Sequence, residues 1–515
     1  MMTKKSKSVV IIMAAAVFGW AGNGSDTVAR DDSQLIFPRP FGVAIDDMGW
    51  NEGGSRGDNG GPWRVGLRRN FDVRDYQAVV EVARAAGVRF QGAFLLAEMD
   101  RMNVCAGYPT TTMYGEAFDN TSNIDCSQLE MMAYIQDQAA WLEFGIHGVG
   151  HEHWMNGQRR RAEWYNLEDD HAWPEQDMKD HLECFRSIMA QYGWSPENGH
   201  SFPESFVPCA YGYYWNPDGR TSTGSLMAEC GVRYVNTLFS QIEELNPPSG
   251  PNNGGFDHGV LVINRMNYGN EWFETASLPK QPLGDYESDI IETHWANWLA
   301  TDDFLQPALN QKWIDFFQTI QAHPDHYLAK NTEQLFSQWL YKKYTRVEEK
   351  TQGRVVIDNR FMPEEAYRYQ LLGNMVLAFS LDEGVHVQKV VLQGKPVIVL
   401  LEEAGFGYVY LPPLERDIYE LDYETGSERM PVYVDHQGTY NIYDADISGD
   451  TLILDLKMYG TQIMKVHCDR PGSVISGQPH LKITAWTYDD ASKTVSMEIT
   501  GRNMQGEQGE IRILF

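Results

Sequence analysis

The chain has 515 residues, 43% of them hydrophobic and 12% aromatic, and carries a formal charge of −29 at pH 7. That apolar content is ample for large cores and excludes a disordered chain, and the length allows about two to four domains. An acidic surface offers no counter-charge to nucleic acid or to an anionic membrane surface, so neither is expected as a partner. Neutral or cationic substrates remain open.

In chain order, Lys4, Lys5 and Lys7 precede the apolar run Val9 to Phe18, and Gly19-Trp20-Ala21 offers small residues for cleavage. This predicts a signal peptide over residues 1–21 and a secreted or periplasmic protein. No cysteine follows the run, which speaks against a lipid anchor, and no other stretch of about 18 apolar residues could span a bilayer. A polar lead-in covers 22–33. Six cysteines suit an oxidising compartment without forming any CxxC motif, and Cys105 and Cys126, which bracket a polar stretch, are expected to form a disulfide.

The first strand is expected over Phe41 to Ile45, ending at Asp46-Asp47, before a glycine-rich loop over Gly53 to Gly61. Asp72 should cap a helix over Val73 to Ala86 that Gly87 stops, and Val88 to Leu96 should be the second strand. After the insertion Asp100 to Cys126, Ser127-Gln128-Leu129-Glu130 reads as a capping box for a helix to about Leu142. Further helices are expected at Glu175 to Tyr192, Ala308 to Ala322 and Thr332 to Tyr344. Strands are expected at Ser205 to Pro208, Val232 to Leu238, Val260 to Met266 and Ile290-Ile291.

This alternation predicts an α/β fold over 34–350, with a parallel sheet or (β/α) barrel whose functional residues collect where the strands end. Beyond Gly353 the runs Val390 to Leu400, Gly407 to Leu411, Thr451 to Met458, Leu481 to Trp486 and Thr494 to Ile499 are short, β-prone and separated by turn residues. They predict a separate all-β sandwich over 351–515 that supplies no catalytic residue.

The densest chemistry lies in Phe144-Gly145-Ile146-His147-Gly148-Val149-Gly150-His151-Glu152-His153-Trp154. Two histidines at i and i+4 share a face if the segment turns helically, and one divalent ion could then reach both. If the segment is extended, His153 replaces His151, because alternate residues share a face. Asp47 would complete a set of two imidazoles and a carboxylate, for which zinc is the expected ion, with positions left open for water and substrate. Asp46 could take a proton from the attacking water and His294 could donate one to a leaving group. Glu152, His171, His181 and His258 are read as ordinary satisfied or surface groups. Trp50, Trp154 and Trp295 adjoin the motifs and could floor a sugar cleft.

Ala44-Ile45-Asp46-Asp47-Met48-Gly49, Phe144-Gly145-Ile146-His147 through His151, and Thr293-His294-Trp295 resemble the first, second and last motifs of the polysaccharide deacetylase family. These are metal-dependent carbohydrate esterases built on a distorted (β/α) barrel. The resemblance covers about Phe41 to Val347 and implies Asp46 as base, Asp47, His147 and His151 as ligands, His294 as acid and an acetylated glycan as substrate. The family's third motif pairs an arginine with a proline; Phe206-Val207-Pro208-Cys209 carries none, although the Cys209 amide could still hold an oxyanion. Its fourth motif, rich in Asp and Trp, is replaced by Tyr234-Val235-Asn236-Thr237. The competing readings are a glycoside hydrolase pairing Asp46 or Asp47 with an acid such as Glu204, and a glycan-binding protein on a degenerate barrel.

Overall fold

A computed structural model of the chain describes residues 35–54, 61–64, 67, 69–216, 221–239 and 254–515. The expected signal peptide, the lead-in and most of the glycine-rich loop lie outside the described residues. Within them, no helix is long and apolar enough to cross a membrane.

The first helix forms as its sequence dictates. In α1 (Val73–Ala86), Asp72 accepts the Arg74 N–H, Asp75 reaches back to the Asp72 N–H, and Gly87 ends the helix in the left-handed region at φ 66. Next, α2 (Cys126–Asp137) is capped by Asp125 with Gln128 as its box partner, not by Ser127 with Glu130. It also stops earlier than expected. The third helix, α3 (Glu175–Gln191), buries Met178, His181, Cys184, Phe185 and Ile188 along one face.

The strands are β1 (Leu35–Ile36), β2 (Arg39–Met48), β3 (Phe90–Leu95), β4 (Leu142–Gly148), β5 (His153–Met155), β6 (Gln158–Arg160), β7 (Ser205–Phe206), β8 (Tyr234–Thr237), β9 (Gly254–Asp257), β10 (Val260–Asn264), β11 (Ile290–His294) and β12 (His326–Leu328). Nine of them form one sheet in the order β11-β2-β3-β4-β7-β8-β10-β9, with β12 beside the start of β2. All neighbours are parallel except β9 against β10. The sheet curls into a half-barrel. Between the segment after β10 and β11 the pairing is reduced to a single parallel bridge, Met266 to Ile291. The closed (β/α) barrel expected from the sequence is therefore not shown.

Successive residues of these strands feed two cores, as strand alternation requires. Val43, Ile45 and Phe94 pack with the outer helices, whereas Ala44, Ala93, Val207 and Ile263 pack with the helix Thr332–Tyr344 and with C-terminal strands. That helix is buried from Thr332 to Tyr341. Beyond it the chain is almost entirely β, in sheets of eight, five and four strands, the first of which also takes in β1. A short helix, Glu364–Arg368, intervenes, and the expected strand at Val390 to Leu400 is divided among His386–Leu392, Lys395–Pro396 and Val399–Glu403. The described residues from Leu35 to Phe515 belong to one compact unit. Buried polar contacts cross it: Gln338 Nε2 donates to Val376 O at 2.9 Å, Asn331 Nδ2 to Thr439 O at 2.7 Å and Gln505 Nε2 to Phe144 O at 2.9 Å.

Candidate metal centre

The site lies at the edge where the parallel strands end. Between the pairs Ile45–Gly92 and Met48–Phe94, two residues of β2, Asp46 and Asp47, stand opposite one of β3, Ala93, which marks a bulge at Asp46-Asp47. Asp47 takes a left-handed φ of 64 within it. Neighbouring strand residues ordinarily face opposite ways; the bulge brings both carboxylates to the same end of the sheet. Asp46 is in register with His294 on β11.

His147 is the penultimate residue of β4, and no helical turn follows the strand. The chain bends back through His151, whose φ is 71, and the buried carboxylate of Glu163 holds the bend. Glu163 accepts the N–H groups of Val149, Gly150 and His151 at 2.8 to 3.1 Å, and His181 Nδ1 lies 2.8 Å from it. Gly148 is required here, since a Cβ on it would lie 2.2 Å from Glu163 Oε2. The i and i+4 histidines thus converge by a clamped reverse bend.

Asp47 Oδ1 lies 3.4 Å from His147 Nε2 and 3.6 Å from His151 Nε2. Neither contact is a hydrogen bond, and this buried carboxylate oxygen has no donor among the described residues. The other ring nitrogens are engaged: His147 Nδ1 is 2.7 Å from Val207 O, and His151 Nδ1 is 2.5 Å from Glu152 Oε1. Outer partners of this kind fix a ligating imidazole with its free nitrogen toward the ion. His147, His151 and Cys209 form a buried cluster, with ligand atoms within 4.8 Å of one another, that could bind a metal. The Cys209 thiol, however, already donates to His147 O at 3.1 Å.

Electrostatics favour the same place. Burial opposes ionisation of Asp47, but the imidazoles of His147, His151 and His294 outweigh it and hold the carboxyl below the usual range. For Asp46, burial is likewise outweighed, chiefly by the Arg265 guanidinium and then by His147. Arg265 is fully buried and clamps Asp46 with two bonds of 2.6 and 2.7 Å. Its Nε is 3.9 Å from Glu292, which accepts the Tyr211 hydroxyl at 2.5 Å. Asp46 and Glu292 thus share one permanent cation, Arg265, whereas Asp47 faces the imidazoles of His147 and His151.

His294 Nε2 is 4.0 Å from Asp46 Oδ2, and its Nδ1 is 4.0 Å from Glu292 Oε1 with no hydrogen-bond partner among the described residues. Cys209 follows β7, and among the described residues its amide donates to no backbone oxygen. Trp50 and Trp154 line a cavity of about 620 Å³ together with Arg64, Glu98 and Gly150. A second cavity, of about 1010 Å³, shares Trp154 and Met113 with the first and continues past Trp173 and His171. Trp295 belongs elsewhere: it stacks on Phe71 at 4.0 Å with none of its surface exposed, so it is core and not cleft floor. His153 also points away, with Nε2 3.0 Å from Asp177 and its ring stacked on Trp173. His181 is satisfied, as expected of it.

Sequence reading missed Arg265, Glu163 and Glu292. Only Arg265 left a signal, as the single charge closing the apolar run Val260 to Met266. It clamps Asp46 from the end of β10. Compared with known proteins, the chain matches no family model and no curated protein sequence.

Proposed function

We propose that this protein is a secreted, metal-dependent hydrolase that removes acetyl groups from a polysaccharide or oligosaccharide, on a half-barrel read as a distorted (β/α) barrel. The observation that carries the reading is Asp47 Oδ1, a buried carboxylate oxygen with no hydrogen-bond donor among the described residues, facing the Nε2 atoms of two histidines whose Nδ1 atoms are engaged. Asp47, His147 and His151 would hold one divalent ion, zinc being the best match to imidazole and carboxylate donors. Such an ion supplies Lewis acidity at the acyl carbonyl.

The chain's own groups account for the proton traffic. Asp46, kept ionised by Arg265, accepts a proton from the attacking water, and the buried ion pair fixes its orientation. His294, beside it at the end of β11, donates a proton to the departing nitrogen or oxygen. The Cys209 amide is available to the developing oxyanion. Trp50 and Trp154, each 1% exposed, back the wall of the neighbouring cavity and do not offer an open ring face to a sugar.

Nothing comparable supports the glycosidase reading. Glu204 precedes β7, at the opposite end of the strands from Asp46, and its Oε2 is 2.7 Å from Lys457 Nζ. The test is acetate release by zinc-loaded full-length protein on a panel of N- and O-acetylated glycans. Release that stops on chelation and returns with zinc is expected. Chelator-insensitive cleavage of glycosidic bonds, or sugar binding with no acetate from any substrate, would overturn the reading.

A further inference from the structure

We infer that Cys105 and Cys184 are a disulfide-forming pair that fastens the inserted segment 100–125 to α3. Their sulfur atoms lie 3.6 Å apart, both side chains are fully buried, and the residues are 79 positions apart in sequence. Cys126, the partner expected for Cys105 from the sequence, is instead exposed at the start of α2. The expected pairing is therefore replaced.

The pair is built. Cys105 sits in the short turn Val104–Gly107, and its N–H donates to Asp100 Oδ2 at 2.9 Å. Asp100, itself buried, also receives Gln191 Nε2 at 2.8 Å from the end of α3. Cys184 lies on the inner face of α3, one turn from His181. The insertion is otherwise rich in Thr, Asn, Gly and Asp, so little apolar burial holds it. It nevertheless carries Thr110, whose carbonyl accepts the Trp154 N–H at 2.9 Å and whose hydroxyl is 3.0 Å from His181 Nε2. Through His181 and Glu163 the segment reaches the bend that carries His151.

In the reaction, one thiolate attacks a small-molecule or enzyme disulfide, giving a mixed disulfide and releasing one thiol; the second cysteine then displaces the other. Two cysteine S–H bonds are lost, one S–S bond forms at about 2 Å, and the oxidant is reduced to two thiols. Because both sulfurs are inaccessible in the folded chain, exchange takes place before the insertion closes over α3.

The test is to unfold the full chain, refold it in a glutathione redox buffer, block free thiols with N-ethylmaleimide and map peptides without reduction. A linked pair of peptides carrying Cys105 and Cys184, lighter by two hydrogens than the separate thiols, is expected. Both cysteines recovered as free thiols in folded protein, or Cys105 linked to Cys126, would overturn it. As a second measure, reductant should lower the melting temperature of the wild type by several degrees and leave a C105S variant unmoved; Cys126→Ser should behave as wild type. If C105S does not fold, the peptide map of the wild type still decides.

Discussion

The two ends of the nine-stranded sheet bury charge in opposite ways. Where the strands begin, Lys457 Nζ meets Glu204 at 2.7 Å and Glu333 at 3.2 Å, and Glu333 also accepts the Tyr443 hydroxyl at 2.6 Å. Each of these carboxylates has a cation and the cluster is closed. Where the strands end, Asp46 is matched by Arg265, but Asp47 keeps an oxygen with no hydrogen-bond donor among the described residues and sits in a left-handed conformation. A fold that satisfies buried charge at one end has the means to do so at the other. The paired end is a joint; at the other end His147, His151 and Cys209 form a buried cluster that could bind a metal.

The largest expected effect concerns the joint. Removing residues 347–515 would strip the helix Thr332–Tyr344 of the strands that bury it and leave Glu204 and Glu333 without Lys457. We expect no cooperative unfolding transition by circular dichroism; a sharp melt in the truncated chain would mean that the two parts fold separately. At the other end, zinc should raise the melting temperature of the wild type but not of His147→Ala, because binding to the native state alone shifts unfolding by mass action. Without metal, Asp47→Ala should lower the melting temperature at neutral pH, since it removes a carboxylate whose interactions with His147, His151 and His294 outweigh the cost of its burial.

Asp46→Asn and His294→Ala should each lower acetate release by about 10² to 10⁴ while metal still binds. Near-normal turnover in either variant would show its assigned role to be wrong. Lys457→Met, measured by urea unfolding, should cost about 3 kcal/mol because it strands two carboxylates, with metal content unchanged. The smallest effect is on pH dependence. His436 lies buried between Tyr410 and Tyr440, and burial, reinforced by Lys330, pushes its pKa down to about 3. Between pH 6.5 and that value the unfolded chain binds a proton that the folded one refuses, so stability falls as pH falls, by about 2 kcal/mol at pH 5. His436→Phe should keep the ring stack and flatten that part of the profile.

Much of this arrangement is legible in the sequence because it is local. Asp72 and Gly87 bound α1 as their capping chemistry requires, and the strands ending near Asp46, His147, Pro208 and His294 all belong to the half-barrel. What escapes the sequence is set by contacts between distant segments. Arg265 reaches Asp46 across 219 positions, and Cys105 meets Cys184 across 79. The bend at His151 depends on Glu163, whose role no periodicity announces. Nor does the change of texture after Gly353 disclose that Ala44, Val207 and Ile290 share a core with Leu377, Val434 and Leu456.

Asp47, with His147 and His151, is proposed to form the open metal centre. Elemental analysis of purified full-length wild type, Asp47→Ala, His147→Ala and Cys209→Ala proteins, each equilibrated with zinc, tests it most directly. The account predicts one divalent ion per chain in the wild type and in Cys209→Ala, and a sharp loss in the other two. Stoichiometric metal in Asp47→Ala, with loss in Cys209→Ala, would contradict it and make the thiol the third ligand.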